Sequence, residues 1–418
     1  MEPKHKHLKI SCYCASMSMS VVANLPPLLL LTFRNLYGIS YSMLGTLILI
    51  NFLTQLSMDL LFSFFSHKFN IAKTVRFTPV LTSTGLAIYA LTPLLFPNAV
   101  YVCLLIGTVI FSSSAGLLEV LNSPVLATIP FKDPDREMSK LHSVYAWGCV
   151  GVVLFSTLFL QFFGSENWQW LALFLMIIPL TSLVLFAKAE IPPMPTPEKV
   201  SGAISFFKNK TLWLFVIGIF LGGSAECTMG QWASGYLEQA MGIPKVWGDV
   251  FGVALFSLTL GLGRTLYGSF GKNIGRVLFY SSVGSTLCYF IAAVSGYPLV
   301  GLVACALTGF TAALLWPGSL IAVADRFPTG GVLMYAIMAA GGDLGASLGP
   351  QFVGMVTDAA MEMPFLIQMA QSFGLSPEVF GMKLGMLTGM LFPLFSIPIF
   401  ARIWHNQNKR LLTKTVDK

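Results

Sequence analysis

Hydrophobic residues run through this chain in long blocks, separated by short polar turns. An α-helix needs about 20 consecutive apolar residues to cross a bilayer. Twelve segments meet that length: 10–33, 41–65, 76–96, 99–122, 142–163 and 168–187 in the first half, then 211–237, 247–270, 276–296, 299–324, 331–357 and 381–403 in the second. The pattern predicts an all-α integral membrane fold of twelve transmembrane helices in two six-helix bundles. The longest polar interruption, "KAEIPPMPTPEKVSGAISFFKNK" at 188–210, carries four prolines and mixed charge. It reads as a cytoplasmic linker, extended at first and then a short surface helix. The expected division is therefore 1–187 for the N-terminal bundle, 188–210 for the linker, and 211–418 for the C-terminal bundle with its tail. The halves echo each other after their second helices, in "DLLFSFFSHKFNIAKTVR" (59–76) and "GRTLYGSFGKNIGR" (263–276). Two related bundles suit alternating access, one rocking against the other around a site near the membrane midplane.

Composition strengthens the membrane reading. Of 418 residues 55% are hydrophobic and 10% are charged, whereas a soluble domain carries about a quarter charged residues. If both termini are cytoplasmic, all but three of the 25 Lys and Arg fall on the cytoplasmic side, the exceptions being Arg34, Lys245 and Lys383. Shifting the frame by one helix destroys this asymmetry, so span count and orientation support each other. The expected location is the cytoplasmic (inner) membrane, multi-pass. The net charge of +7 is spread over several short segments. That distribution points to topology and to anionic lipid, not to nucleic acid. The start, "MEPKHKHLK", resembles the charged region of a signal peptide. The apolar run behind it is long and holds Asn24, Pro26 and Pro27, so it reads as a retained first helix. The seven Cys are scattered through apolar runs and read as packing residues, with no metal site or disulfide framework. No GxxxxGK[ST] loop and no other cofactor motif occurs. An enzyme would need a nucleophile–base set or metal cluster at one face. His142 is the only histidine inside the spans, with His5, His7, His67 and His405 scattered through cytoplasmic segments.

Polar residues within the spans carry the candidate chemistry. A carboxylate at a helix centre costs about 2.5–3.5 kcal/mol on insertion scales, and such residues mark pathways and proton relays. Three qualify as proton-coupling candidates: Glu226 in "GGSAECTMGQWASGYLE" (222–238), Glu119 in "GLLEVLNSP" (116–124) and Asp343 in "AAGGDLGASLGPQF" (339–352). Each has a structural alternative, namely a polar group hydrogen-bonded to a neighbouring helix. Glu119 and Asn122 are three apart and share a face. Gln231 and Trp232 join Glu226 only if the helix is distorted near Gly230. Asp343, Ser347 and Gln351 form one stripe among small residues, which also suits a packing and rocking element. Asn51, Gln55 and Asp59 form a similar stripe in the second span. Trp316, followed by Pro317 and Gly318, offers an aromatic face for a sugar ring at an expected bend. His142 opens the fifth span as a ligand or proton partner, and Asn24 is the polar residue of the first. The substrate-binding set is thus Asn24, Asn51, Gln55, Asn122, His142, Gln231, Trp232, Trp316 and Gln351. Asp59 and Arg264, near cytoplasmic helix ends, join Lys272 and Arg276 as gating candidates.

On these residues the chain resembles the major facilitator superfamily over nearly its whole length. It looks most like the branch of the fucose:proton symporter and related sugar permeases. "LLEVLNSPVLATI" (117–129) resembles that branch's helix 4 motif, and "GGSAECTMGQWASGYLE" its helix 7 motif. "GRTLYGSFGKNIGR" looks like the superfamily's basic gating loop. The resemblance implies that Glu119 and Glu226 are the acidic positions tied to sugar and proton coupling, with Asn122 on the motif asparagine. Ser123 intervenes where the motif has proline, and the first-helix acidic residue of the fucose symporter has no counterpart beyond Asn24. The expected function is secondary active transport of a small polar solute, a sugar before others, by alternating access with proton symport. Its partners are that solute, a proton or a sodium ion, and membrane lipid, and the protein is expected to be a monomer. The rivals are a proton-coupled exporter of metabolites or drugs, a non-transporting membrane sensor and an integral-membrane enzyme.

Overall fold

The computed structural model describes the backbone of residues 3–65, 68–131, 134–192, 208–270, 273–327 and 331–416. It describes their side chains except at 3–4, 63, 134–136, 138–139, 142, 146, 268–270, 331–333, 336 and 411–416. The linker residues 193–207, read above as an extended stretch and a short helix, lie outside the described residues. Among those described there is no strand. The chain is nearly all helix, because in lipid each backbone N–H and C=O must find its partner within its own segment.

The helices are α1 (Pro3–Tyr37), α2 (Tyr41–Phe65), α3 (Ile71–Leu95), α4 (Val100–Ala127), α5 (Pro134–Phe163) and α6 (Trp168–Leu175, running on through Ile177–Lys188). After the linker come α7 (Lys210–Met241), α8 (Lys245–Trp247, a π-helical stretch Gly248–Ala254, then Leu255–Phe270) and α9 (Ile274–Val294). α10 (Pro298–Ala312, resuming at Pro317–Arg326), α11 (Gly331–Glu362), the short α12 (Pro364–Ser372) and α13 (Pro377–Val416) complete the chain. Each expected span is a helix. Among the described residues eleven are long and apolar enough to cross a membrane. The remaining expected span is α11, whose side chains at 331–333 and 336 lie outside the described residues. Helix α12 falls where hydropathy predicts only a loop, being too short to register as a span.

The chain separates into two compact units. One comprises Met1–Ile39 and Ile50–Ser201, the other Ser40–Leu49 and Gly202–Lys418. The first turns of α2 thus cluster with the second unit, a departure from the division at 188–210. The carboxylate of Asp358 accounts for it. It caps the start of α2, accepting from the N–H groups of Tyr41 (3.0 Å) and Ser42 (2.6 Å). These are among the donors that a helix leaves without intrahelical partners at its N-terminus.

In the first unit, α1, α4 and α6 share a core that includes Leu8, Cys12, Leu118, Leu121, Val125 and Phe186. Polar side chains join these helices where apolar contact cannot discriminate. The Asn122 amide, only 3% exposed, donates to Cys12 O (3.1 Å) and Ser16 Oγ (3.0 Å) of α1. Arg76 donates to Phe186 O (3.3 Å) and Ala189 O (2.8 Å), filling the carbonyl end of α6 with a positive charge. Ser114 donates to Thr78 O (2.8 Å), and Thr82 donates to Ser114 Oγ (2.7 Å), across α3 and α4. At the other end of the unit, Trp168 is fully buried against Phe33 (4.9 Å between ring centroids) and Tyr89 (5.7 Å).

In the second unit, α7 starts on Asn209, whose side chain accepts from Thr211 N–H and Leu212 N–H. It ends at Gly242, whose φ of +66° only glycine adopts cheaply. Ile243 N–H then closes on Leu237 O at 3.0 Å. Helix α11 packs on α7 backbone to backbone. A Cβ on Gly345 would lie 2.0 Å from Phe220 O, and one on Gly349 would lie 2.4 Å from Thr228 Oγ1. Such small-residue seams replace the hydrophobic effect as the reason for membrane helices to associate.

Three substitutions check this packing. Gly345→Ala is expected to destabilise the purified protein by about 1–3 kcal/mol, as overpacking does. Gly261→Ala, where an added Cβ meets nothing within 4 Å, is expected to hold or raise the thermal unfolding temperature. Asn122→Ala removes two hydrogen bonds between α1 and α4 and is expected to cost about 1–2 kcal/mol in the same assay.

Candidate functional site

The second unit holds the densest intramembrane chemistry. Glu226 sits in the middle of α7, and Arg264 reaches it from α8. The guanidinium Nη2 donates to Glu226 Oε1 at 2.7 Å. Arg264 is 42% exposed and Glu226 15%. The second carboxylate oxygen, Oε2, is buried without a hydrogen-bond partner. Arg264, expected as a gating charge near a cytoplasmic helix end, pairs with the central carboxylate. Its position follows from a proline. Pro317 has no N–H to give Ala313 O, the carbonyl four residues earlier, and α10 is interrupted between Ala312 and Pro317. Arg264 Nε supplies the missing donor at 3.1 Å.

Trp316 lies in that interruption, half-buried. Its ring is wedged against two helices, so that a Cβ on Gly223 of α7 or on Gly342 of α11 would lie 3.0 or 2.7 Å from it. The same glycines meet each other, a Cβ on Gly223 falling 2.7 Å from Gly342 O. This contact brings Asp343, one residue along α11, beside the stretch of α7 that bears Glu226. Asp343 is 6% exposed.

Helix α7 runs unbroken through Gly230, so Gln231 and Trp232 stay off the face of Glu226. Trp232 is fully buried, and its Nε1 donates to Pro350 O (2.9 Å) in the seam with α11. Gln231 is half-buried. Gln351 packs over the helix start that belongs to this unit, where a Cβ on Gly45 would lie 2.7 Å from its Oε1. Arg276 is exposed with its guanidinium 5.7 Å from the centre of the Tyr280 ring, and its N–H bonds the Asn273 cap. Lys272 lies outside the described residues.

The first unit gathers neutral polar groups. Asn51 is 2% exposed, and its Oδ1 accepts from Gln55 Nε2 (2.9 Å) and Ser112 Oγ (2.6 Å). Gln55 remains partly exposed. Glu119 is exposed, although it sits well inside α4. Asn122 does not join it. The spacing of three put both on one face, but the Asn122 amide is spent on α1 and only Glu119 is left open. Asn24 is half-buried and donates to Ser20 O of its own helix (2.9 Å). Asp59 is buried near the end of α2. The His142 side chain lies outside the described residues.

Sequence reasoning missed two participants. Ser112 completes the Asn51 network, its only signal being the run Ser112–Ser113–Ser114 in an apolar helix. Asp249, fully buried in the π-helical stretch of α8, accepts from Ser234 Oγ and pairs with Lys245 at 3.3 Å. Its lone acidic letter near a predicted span end gave no hint of burial.

Solved structures similar to this one include several membrane transporters. A bacterial homologue of the human lysosomal transporter Spinster, inward-facing and occupied, aligns over 96% of this chain and 97% of its own at TM-score 0.73 and 12% identity. The nucleoside transporter NupG aligns over 96% and 98% at TM-score 0.69 and 14% identity. A D-xylose–proton symporter aligns over 95% and 98% at TM-score 0.68 and 14% identity. At such identities the likeness shows the fold alone, and it does not single out the fucose symporter branch. No curated protein matches the chain by sequence. The model of the Major Facilitator Superfamily matches residues 11–350, and the chain belongs to that superfamily of membrane transporters.

Proposed function

We propose that this protein is a proton symporter for a small polar solute of the sugar class, working by alternating access in the cytoplasmic membrane with both termini inside. The observation that carries the reading is the Glu226–Arg264 ion pair at the centre of a membrane span. Burying two charges is repaid only while they hold each other. A proton arriving at Glu226 cancels one charge, so the pair dissolves and the Arg264 fork is left open to the solute. The unpartnered Oε2 is an open acceptor for that proton. Proton binding and solute binding then support each other, which is the coupling a symporter requires.

The remaining candidates take consistent parts. Gln55, held by Asn51, keeps a partly exposed side chain for solute hydroxyls. Glu119 adds an exposed acid in the other half of the chain, and Asp343 a buried one beside the ion pair. Trp316 limits the space next to Glu226. Asp59, Lys272 and Arg276 remain proposed gating charges.

Purified protein in proteoliposomes tests the reading. With an inward proton gradient, labelled sugars from a panel are expected to accumulate, and Glu226→Gln to lower gradient-driven accumulation at least about tenfold while solute exchange continues. Tenfold corresponds to about 1.4 kcal/mol of coupling, the lower range for allosteric linkage. Solute leaving as protons enter would replace the symporter by an exporter. Intact accumulation in Glu226→Gln would move the coupling to another acid. Asn51→Ala is expected to raise the solute KM and leave the proton dependence unchanged, read from uptake at several external pH values.

A further inference from the structure

Arg264 offers more donors than its protein partners use. A guanidinium has five N–H groups in a planar fork. Nε is taken by Ala313 O and Nη2 by Glu226 Oε1. Among the described residues nothing accepts from Nη1, and the side chain is 42% exposed. Two other basic groups are spoken for. Lys383 Nζ donates to Ala293 O (3.2 Å) and Ser295 O (2.6 Å), and Arg76 gives two bonds to the carbonyl end of α6.

Charge decides what the spare fork takes. When Glu226 accepts a proton, Arg264 keeps its charge within a membrane span. Its Ala313 bond comes from a backbone carbonyl and does not neutralise it. Asp343 is buried and already engaged, and the Cys227 thiol and the Tyr289 hydroxyl, which bonds Ala225 O, supply no counter-charge. A neutral sugar would leave the guanidinium without a counter-charge inside a membrane span, where charged side chains pair with one another. A carboxylate restores the pair with the two parallel bonds that a guanidinium fork favours.

We infer that the solute is a sugar acid, a polyhydroxy monocarboxylate whose carboxylate replaces Glu226 on Arg264 as Glu226 takes up the proton. This rests on the symport reading above and narrows its solute class. The exchange is balanced: one proton goes onto the Glu226 carboxylate, one salt bridge to Nη2 is given up, and one to the solute is formed. The Arg264–Ala313 bond persists and keeps the guanidinium in place through the exchange. One proton carried with one monoanion moves no net charge, so transport is driven by the pH difference and is indifferent to membrane potential.

The test uses the full chain in proteoliposomes with labelled glucose, gluconate and glucuronate. Gluconate or glucuronate is expected to accumulate at least about tenfold above glucose under an inward proton gradient, the discrimination one charge-assisted pair supplies. A valinomycin-imposed, inside-negative potential is expected to leave that accumulation unchanged. Arg264→Gln is expected to abolish the thermal stabilisation that the acid gives the purified protein. Glu226→Gln, which frees the fork, is expected to keep that stabilisation and extend it to higher pH. Because Arg264→Gln also removes the donor to Ala313 O, its unfolding temperature without solute is measured alongside, and Arg264→Lys provides a second variant, expected to bind the acid more weakly. Accumulation of glucose that responds to the imposed potential overturns the sugar-acid assignment and leaves proton symport standing. If neither neutral nor acidic sugars bind or move, both readings fall.

Discussion

The close approach of α11 to α7 sets the geometry of the second unit. In lipid, two helices gain nothing from hiding apolar surface, so contact must come from packing the backbones themselves. The glycines of α11 remove the side chains that would hold the helices apart, and Phe220 O and Ser224 of α7 fill the space. Two acids follow from that seam. Glu226 and Asp343 are near each other because their backbones are, not because they attract. The seam also leaves a slot at Gly223 and Gly342 that only a flat ring fills, and Trp316 fills it.

A second constraint places the cation. Every carbonyl in a membrane helix needs a donor, and Pro317 withholds one from Ala313 O. Arg264 answers that orphan with Nε and turns the rest of its fork toward Glu226. The guanidinium is therefore anchored to the backbone before it meets a carboxylate. A cation held only by its counter-ion would lose its place when the counter-ion was neutralised. Anchored, Arg264 stays where it is and changes partner.

The spans were legible because hydropathy is a property of consecutive residues, and length alone converts it into a membrane crossing. The site was legible only in its parts. Glu226 announced itself as a carboxylate in an apolar run, but its partner lies 38 residues on, and no local pattern ties the two. Arg264 looked like one more basic residue on the cytoplasmic side. Asn122 misled for a different reason. Its spacing from Glu119 is right for a shared face, but one helix face meets several environments, and α1 claims Asn122 while Glu119 stays open. Trp232 misled because Gly230 permits a distortion that α7, with its own backbone bonds made, has no reason to adopt. Ser112 was hidden because serine in a helix usually bonds its own backbone. Only the tertiary position of Asn51 redirects it.

The two units differ in the kind of polarity they keep. The first satisfies Asn51, Gln55 and Ser112 through neutral hydrogen bonds, which distinguish donors from acceptors but carry no charge to exchange. The second holds an ion pair, which reports protonation directly because removing one charge strands the other. On the proposed reading, recognition of hydroxyls and response to protons are chemically separable tasks carried by different helices. A change in Gln55 alters which hydroxyl pattern is accepted without touching a charge. A change in Arg264 alters what must accompany the proton. Under that reading one scaffold can exchange solutes while keeping its coupling, since the Asn51–Gln55–Ser112 network and the Glu226–Arg264 pair share no residue.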